Sequence, residues 1–179
     1  TGSATVTFTA TDDCNNATST TATFTIEDTT NPSMDTASSD ETVECDGSGN
    51  TAALTAWLDA HGGASASDAC SGVTWSNDFT ALSDDCGATG SATVTFTATD
   101  DCNNATSTTA TFTIEDTTNP SMDTASSDET VECDGSGNTA ALTAWLDANG
   151  GAAASDACSN VTWSNDFTAL SDDCGATGS

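Results

Sequence analysis

Thr1-Gly2-Ser3-Ala4-Thr5-Val6-Thr7-Phe8 recurs as Thr89-Gly90-Ser91-Ala92-Thr93-Val94-Thr95-Phe96, and the match runs on through a period of 88 residues. Only His61 against Asn149, Ser65 against Ala153 and Gly72 against Asn160 break it within one period. The chain closes on Thr177-Gly178-Ser179, which opens a third copy. A fixed period constrains the fold strongly, because one unit must fold within it and an identical unit must be able to follow. A catalytic centre gains little from faithful copying in series, whereas reach and multivalency grow with every copy. Repetition therefore points to a fibre or stalk.

The boundary between units is set by Glu27-Asp28-Thr29-Thr30-Asn31-Pro32. Pro32 and Pro120 are the two prolines of the chain, and each follows an alternating strand and an Asx/Thr cluster, the pattern of a linker. This frame gives the C-terminal strands of a preceding repeat at 1–27, a complete repeat at 28–115, and the N-terminal portion of the next at 116–179.

Charge removes whole classes of function. The chain has no Lys or Arg, 28 Asp plus Glu and a single His, for a formal charge of −28. Nucleic-acid binding rests on Lys and Arg neutralising phosphates, and docking on an anionic membrane surface needs the same cations. With one side chain titrating near neutrality, acid/base catalysis also lacks its usual residues, and the chain reads as no enzyme. No apolar run approaches the ~20 residues of a membrane-spanning helix, so membrane insertion is not expected.

Within the complete repeat, Ala92 to Thr99 alternates Val94, Phe96 and Ala98 with Thr93, Thr95, Thr97 and Thr99. A second run sets Ala110, Phe112 and Ile114 against Thr109, Thr111 and Thr113, and Asp100-Asp101-Cys102-Asn103-Asn104 joins the two as a hairpin. Thr42–Cys45, Ala64–Cys70 and Val73–Trp75 read as further short strands, with Trp75 as the expected core aromatic. Asn50 is placed to cap a helix over Thr51–Ala60, with Leu54, Trp57 and Leu58 on one face and Gly62-Gly63 ending it. The expected class is all-β, a tandem array of disulfide-stapled, immunoglobulin-like β-sandwiches with a short inserted helix.

Asp28-Thr29-Thr30-Asn31-Pro32, Val43-Glu44-Cys45, Asp68-Ala69-Cys70, Val73-Thr74-Trp75 and the Gly90–Asn104 block resemble hyalin-repeat (HYR) domains across the whole period. The likeness is to the version repeated in very large secreted surface adhesins of bacteria. The insertion from Asp46 to Gly63 departs from the shorter general pattern. The resemblance implies an immunoglobulin-like fold and an adhesive or structural role.

Eight Cys without any Cys-x-x-Cys fit a disulfide framework, and with it an oxidising, extracellular setting at the cell surface. Within one repeat, Cys86 and Cys102 flank a strand whose extended length, roughly 35 Å at ~3.3 Å per residue, rules out their pairing. An immunoglobulin-like topology brings Cys45 towards Cys86 at one pole and Cys70 towards Cys102 at the other. The expected bonds are therefore Cys45–Cys86 and Cys70–Cys102, with the crossed pairing as the alternative.

Fourteen carboxylates per repeat have no side-chain cation to meet. Solvated surface charge is one reading. The other is Ca²⁺, a hard cation taking oxygen ligands, held at the junctions by Glu27, Asp28, Asn31, Asp68, Asp100, Asp101 and Asn103, and in the next copy by Glu115, Asp116, Asn119 and Asp156. Asp84 and Asp85 stand for the loops that a neighbouring pole could add. Asp-Thr-Thr and Asp-Thr-Ala at Thr29, Thr36, Thr117 and Thr124 match a bacterial O-glycosylation pattern, which would make the chain a glycoprotein. His61, replaced by Asn149, reads as the exposed end of a helix.

The leading function is the structural, adhesive stalk of an extracellular filament. Its partners would be neighbouring repeats of the same chain, with surface glycans or other fibre chains beyond them. The alternative is a repeated module that binds glycan or ice through its Thr rows.

Overall fold

The computed structural model describes residues 1–171; residues 172–179, including the third-copy opening Thr177–Ser179, lie outside the described residues. Strands run over Gly2–Thr11 (β1), Ala17–Ile26 (β2), Ser33–Thr36 (β3), Glu41–Glu44 (β4), Ser65–Ser67 (β5), Val73–Asn77 (β6), Gly90–Asp100 (β7), Ala105–Glu115 (β8), Ser121–Thr124 (β9) and Ala153–Ser155 (β10). Two helices, Thr51–Asp59 (α1) and Thr139–Asp147 (α2), each lead into a short 3-10 turn. The fold is β-rich, and no helix among the described residues is long and apolar enough to cross a membrane. One sheet has four strands in the order β4-β8-β7-β6, and β1–β2, β3–β5 and β9–β10 pair in twos.

Alternation makes the hairpins. β1 and β2 pair antiparallel from Gly2↔Ile26 to Thr11↔Ala17, which places Val6, Phe8, Phe24 and Ile26 on one side and the Thr rows on the other. Thr5 and Thr23 hydroxyls meet across the strands at 2.9 Å, as do those of Thr93 and Thr111 in the second hairpin. Asn15 and Asn103, at φ 68° and 67°, take the left-handed positions of the turns, which Asn tolerates better than most residues.

The chain groups into two compact units. The first comprises Thr1–Glu41, Ala52–Ala81 and Ala92–Phe112, and the second Thr42–Thr51, Leu82–Ser91 and Thr113–Ser179. In the first, Val94, Phe96, Ala98, Ala110 and Phe112 of the strands and Leu54 and Trp57 of α1 are buried. Trp57 meets Phe96 edge-on at 5.2 Å between ring centroids and Phe112 at 5.5 Å. Its indole N–H donates to the Ser39 carbonyl at 3.2 Å, so the one polar atom of the ring is satisfied. Burying each such aromatic contributes about 1.5–3 kcal/mol by transfer. Gly62, at φ 63°, closes the helix end so tightly that a Cβ there would stand 3.2 Å from Phe96 and 3.0 Å from Ser38.

The expectation that Trp75 is the core aromatic is corrected, since Trp57 takes that place. β6 is an edge strand, and Trp75, opposite Ala98, is half-buried. The helix instead lays Trp57 over the two central strands. His61 is not a bare helix end: its ring stacks on Trp75 at 4.7 Å and 13°. Asn50 is buried, but its carboxamide donates to the Glu44 carbonyl and accepts from the Asp46 N–H, fastening the loop before α1. The equivalent Asn138 makes no side-chain cap bond to α2.

Candidate functional site

Two features remain once the core is set: a disulfide and two acidic groups. The bond joins Cys45 to Cys158, 113 residues apart with Cα atoms 6.1 Å from each other. Both residues lie in the second unit and are buried. Cys45 directly follows β4, and its N–H donates to the Glu115 carbonyl at 2.8 Å. Cys158 follows β10, and its carbonyl accepts the Ala88 N–H at 2.7 Å. Gly87, at φ 63°, permits this approach, because a Cβ there would collide with the Cys158 carbonyl.

The expected pairing of Cys45 with Cys86 is therefore corrected. Its neighbourhood is right, since the Cys45 sulfur lies 3.8 Å from the Ala88 carbonyl oxygen, in the loop that holds Cys86. Cys86, however, is turned into its own bend: its N–H donates to the Thr89 hydroxyl, which donates back to the Cys86 carbonyl. Cys158 fills the seat beside Cys45 instead. Cys70 and Cys102, expected to bond, are free thiols, although Asp101 N–H reaches the Ser71 hydroxyl at 3.4 Å beside them. Cys158 is Cys70 moved on by one period, so the bond joins successive copies of the repeat. The period conceals this choice, because a bond between copies uses the same residue types as a bond within one.

Beside the disulfide, Glu44 takes hold of the next linker. Its carboxylate accepts the Thr117 N–H at 3.0 Å, the Thr117 hydroxyl at 2.8 Å and the Thr118 hydroxyl at 2.9 Å. The Thr117 N–H, followed by the two hydroxyls, holds the Glu44 carboxyl below its ordinary range.

The acidic groups repeat with the period. Asp28, Asp68 and Cys70 bring their ligand-type atoms within 4.8 Å of one another, and so do Asp116, Asp156 and Cys158. Asp28 Oδ2 is buried with no hydrogen-bond partner. Asp68 accepts the N–H groups of Cys70 and Ser71, at 2.8 and 3.1 Å. In the later group the Ser159 hydroxyl stands between the two carboxylates, 3.1 Å from Asp156 and 3.4 Å from Asp116. Because the Cys158 sulfur is bonded to Cys45, that group offers oxygen and no thiolate. An oxygen set suits a hard cation such as Ca²⁺ and not zinc.

The remaining candidates lie outside these groups. Asp100 is buried with both oxygens committed to its turn: Oδ1 accepts from the Cys102 and Asn104 N–H groups and Oδ2 from the Asn104 side chain, each at 2.8 Å. Burial pushes the Asp100 carboxyl up, but the hydrogen bonds from Asn104 and the Cys102 N–H outweigh it and hold the group low. Asn104 also donates to the Asp28 carbonyl at 3.2 Å, which ties the turn to the linker. Glu27, Asn31, Asp101, Asn103, Glu115 and Asn119 are exposed, as are Asp84 and Asp85. Thr29, Thr36, Thr117 and Thr124 are exposed too, though the Thr117 hydroxyl is engaged by Glu44. No protein-family model matches the chain, and no curated protein matches it.

Proposed function

We propose that this chain is a length of the structural, adhesive stalk of an extracellular fibre, in which immunoglobulin-like, hyalin-repeat-like units are clasped covalently in series. The observation that carries this reading is the Cys45–Cys158 bond, which joins two different parts of consecutive copies and so turns a repeated sequence into a cross-linked one. A stable disulfide also fits an oxidising compartment outside the cell. The role is reach and attachment, not catalysis. Ca²⁺ on Asp28 with Asp68 and on Asp116 with Asp156 would screen a chain of formal charge −28, and O-glycans on Thr29, Thr36 and Thr124 would shield the linkers. The Thr rows, whose facing hydroxyls bond each other, are better suited to closing the sheet than to holding glycan or ice.

Single-molecule pulling tests the clasp. Oxidised chains should withhold the 113-residue interval, and reduction should release on the order of 400 Å at ~3.3–3.6 Å per residue. Equal extensions before and after reduction would remove the clasp as a load path. Saturable binding of the full chain to a glycan or to ice would favour a binding module instead. Melting in calcium against chelator, at constant ionic strength, should show a rise with calcium that Asp28→Asn, Asp68→Asn, Asp116→Asn and Asp156→Asn together abolish.

A further inference from the structure

Two cysteines compete for the seat beside Cys45. The Cys45 sulfur lies 3.8 Å from the Ala88 carbonyl oxygen, in the loop that carries Cys86, and Cys158 meets that same loop through the Ala88 N–H at 2.7 Å. A bond to Cys86 would close about 40 residues and the bond to Cys158 closes 113, so loop-closure entropy alone favours the shorter by roughly fivefold. The bond formed is the longer one. Contacts outside the cysteines must therefore reverse that bias.

Those contacts begin one residue before Cys45. Glu44 accepts the Thr117 N–H and the hydroxyls of Thr117 and Thr118, while the Cys45 N–H donates to the Glu115 carbonyl. The stretch 115–118 is thus fastened to the end of β4. From it, Asp116 accepts the Thr118 N–H at 3.2 Å with one oxygen and the Ser159 hydroxyl at 3.4 Å with the other. Ser159 adjoins Cys158, and Asp156 accepts the N–H groups of both, at 2.8 Å from Cys158 and 2.9 Å from Ser159. A run of hydrogen bonds leads from Glu44 to Cys158, all within the second unit. The bonds of Cys86 close its own bend with Thr89 instead.

We propose that Glu44 selects the partner of Cys45: by gripping Thr117 and Thr118 it delivers Cys158, from the following copy, to a sulfur that the nearer Cys86 would otherwise take. Glu44 is a positioning residue. With oxidised glutathione as the oxidant, the Cys45 thiolate first forms a mixed disulfide and releases one glutathione thiolate. The Cys158 thiolate then attacks the Cys45 sulfur, so that the Cys45–Cys158 bond forms as the second glutathione thiolate leaves. The inference rests on reading that bond as the clasp between copies, and extends the reading to how the clasp finds its partner.

Refolding the reduced chain in a glutathione buffer, then quenching in acid, alkylating and mapping peptides without reduction, reads the choice as the ratio of Cys45–Cys158 to Cys45–Cys86. All chains carry Cys133→Ser, because residues 128–133 repeat 40–45 and would give the same peptide. With Glu44 in place, Cys45–Cys158 should dominate. Glu44→Ala should lower the ratio about tenfold, the worth of one hydrogen bond to a charged group, and Thr117→Val with Thr118→Val should lower it too. Glu44→Gln should keep most of it, since the amide oxygen still accepts the Thr117 N–H and Thr118 hydroxyl while the amide N–H donates to the Thr117 hydroxyl oxygen. A ratio unchanged by Glu44→Ala overturns the proposal. So does one that moves only with Thr89→Val, which would assign the choice to the Cys86 bend. Cys45–Cys86 as the main product with Glu44 in place would overturn the clasp as well, which keeps the two failures distinct.

Discussion

The hairpins β1–β2 and β7–β8 have the same sequence and the same strand pairing, yet Phe8 and Phe24 are 59% and 70% exposed where Phe96 and Phe112 are 0%. Alternation and the Asp-Asp-Cys-Asn-Asn turn suffice to set the register, because both are local to the hairpin. Burial is not local. It comes from residues 28–83, whose helix brings Trp57 onto the second hairpin. The helices repeat the lesson from the other side: Leu54 and Trp57 are buried in α1, whereas α2, of the same sequence, buries none of its residues. Secondary structure here belongs to each half, and the core belongs to the pair.

The largest break in this comparison should come from truncating the aromatics. Phe96→Ala or Phe112→Ala should lower stability by about 3–5 kcal/mol through lost transfer energy and a cavity, whereas Phe8→Ala or Phe24→Ala should stay within about 0.5 kcal/mol. Denaturant melts of dilute chain separate the two cases. Equal losses would mean that the first hairpin is covered as well.

Cys158→Ser should come next, at about 2–4 kcal/mol, because it opens a loop of 113 residues. Non-reducing peptide maps made with an Asp-directed protease should yield a Cys45–Cys158 peptide, and a Cys45–Cys86 peptide would reverse the assignment. Replacing Trp57 by Phe keeps an aromatic side chain but removes the indole N–H and its hydrogen bond to Ser39, for a loss of about 1–2 kcal/mol including the volume lost; Trp145→Phe, on a helix with no buried residue, should cost less.

The smallest contrast is in acid. Asp12 is held low by its side-chain and backbone bonds with Asn16, and Asp100 is held low by the corresponding bonds in spite of burial. Carboxyls depressed in the fold stabilise it above their unfolded values, near 3.9, and that contribution disappears as pH falls through the folded values. Melting temperature should thus be flat near neutrality and fall below about pH 4. Asp100→Asn should blunt the fall more than Asp12→Asn, because only the Asp100 turn is buried against the linker.

Much of the fold was legible in the sequence for the same reason that the hairpins are alike. Alternation located β7 and β8, the Leu54/Trp57 spacing located α1, and the short strands at Val43, Ala66 and Trp75 were legible from their flanking turns. What the sequence left open depends on contacts distant along the chain. Trp57 and Trp75 are equally apolar, and only the place of β6 at a sheet edge demotes the second. The acidic residues were legible as a class, but Asp28 and Asp68 stand apart from Asp100 because a turn consumes the latter's oxygens, a distinction of geometry and not of residue type. The disulfide was hidden by the period: Cys70 and Cys158 both sit in Asp-Ala-Cys-Ser, so pattern alone cannot say which copy supplies the partner.

The bond from Cys45 to Cys158 also changes what a single cut can do. Any hydrolysis of the backbone between those residues leaves two pieces still joined through sulfur. Enzymes that cleave after Lys or Arg find no site anywhere in the sequence. A nick at a loop tip by another protease would loosen one repeat without severing the chain, so damage at one point need not detach what lies beyond it.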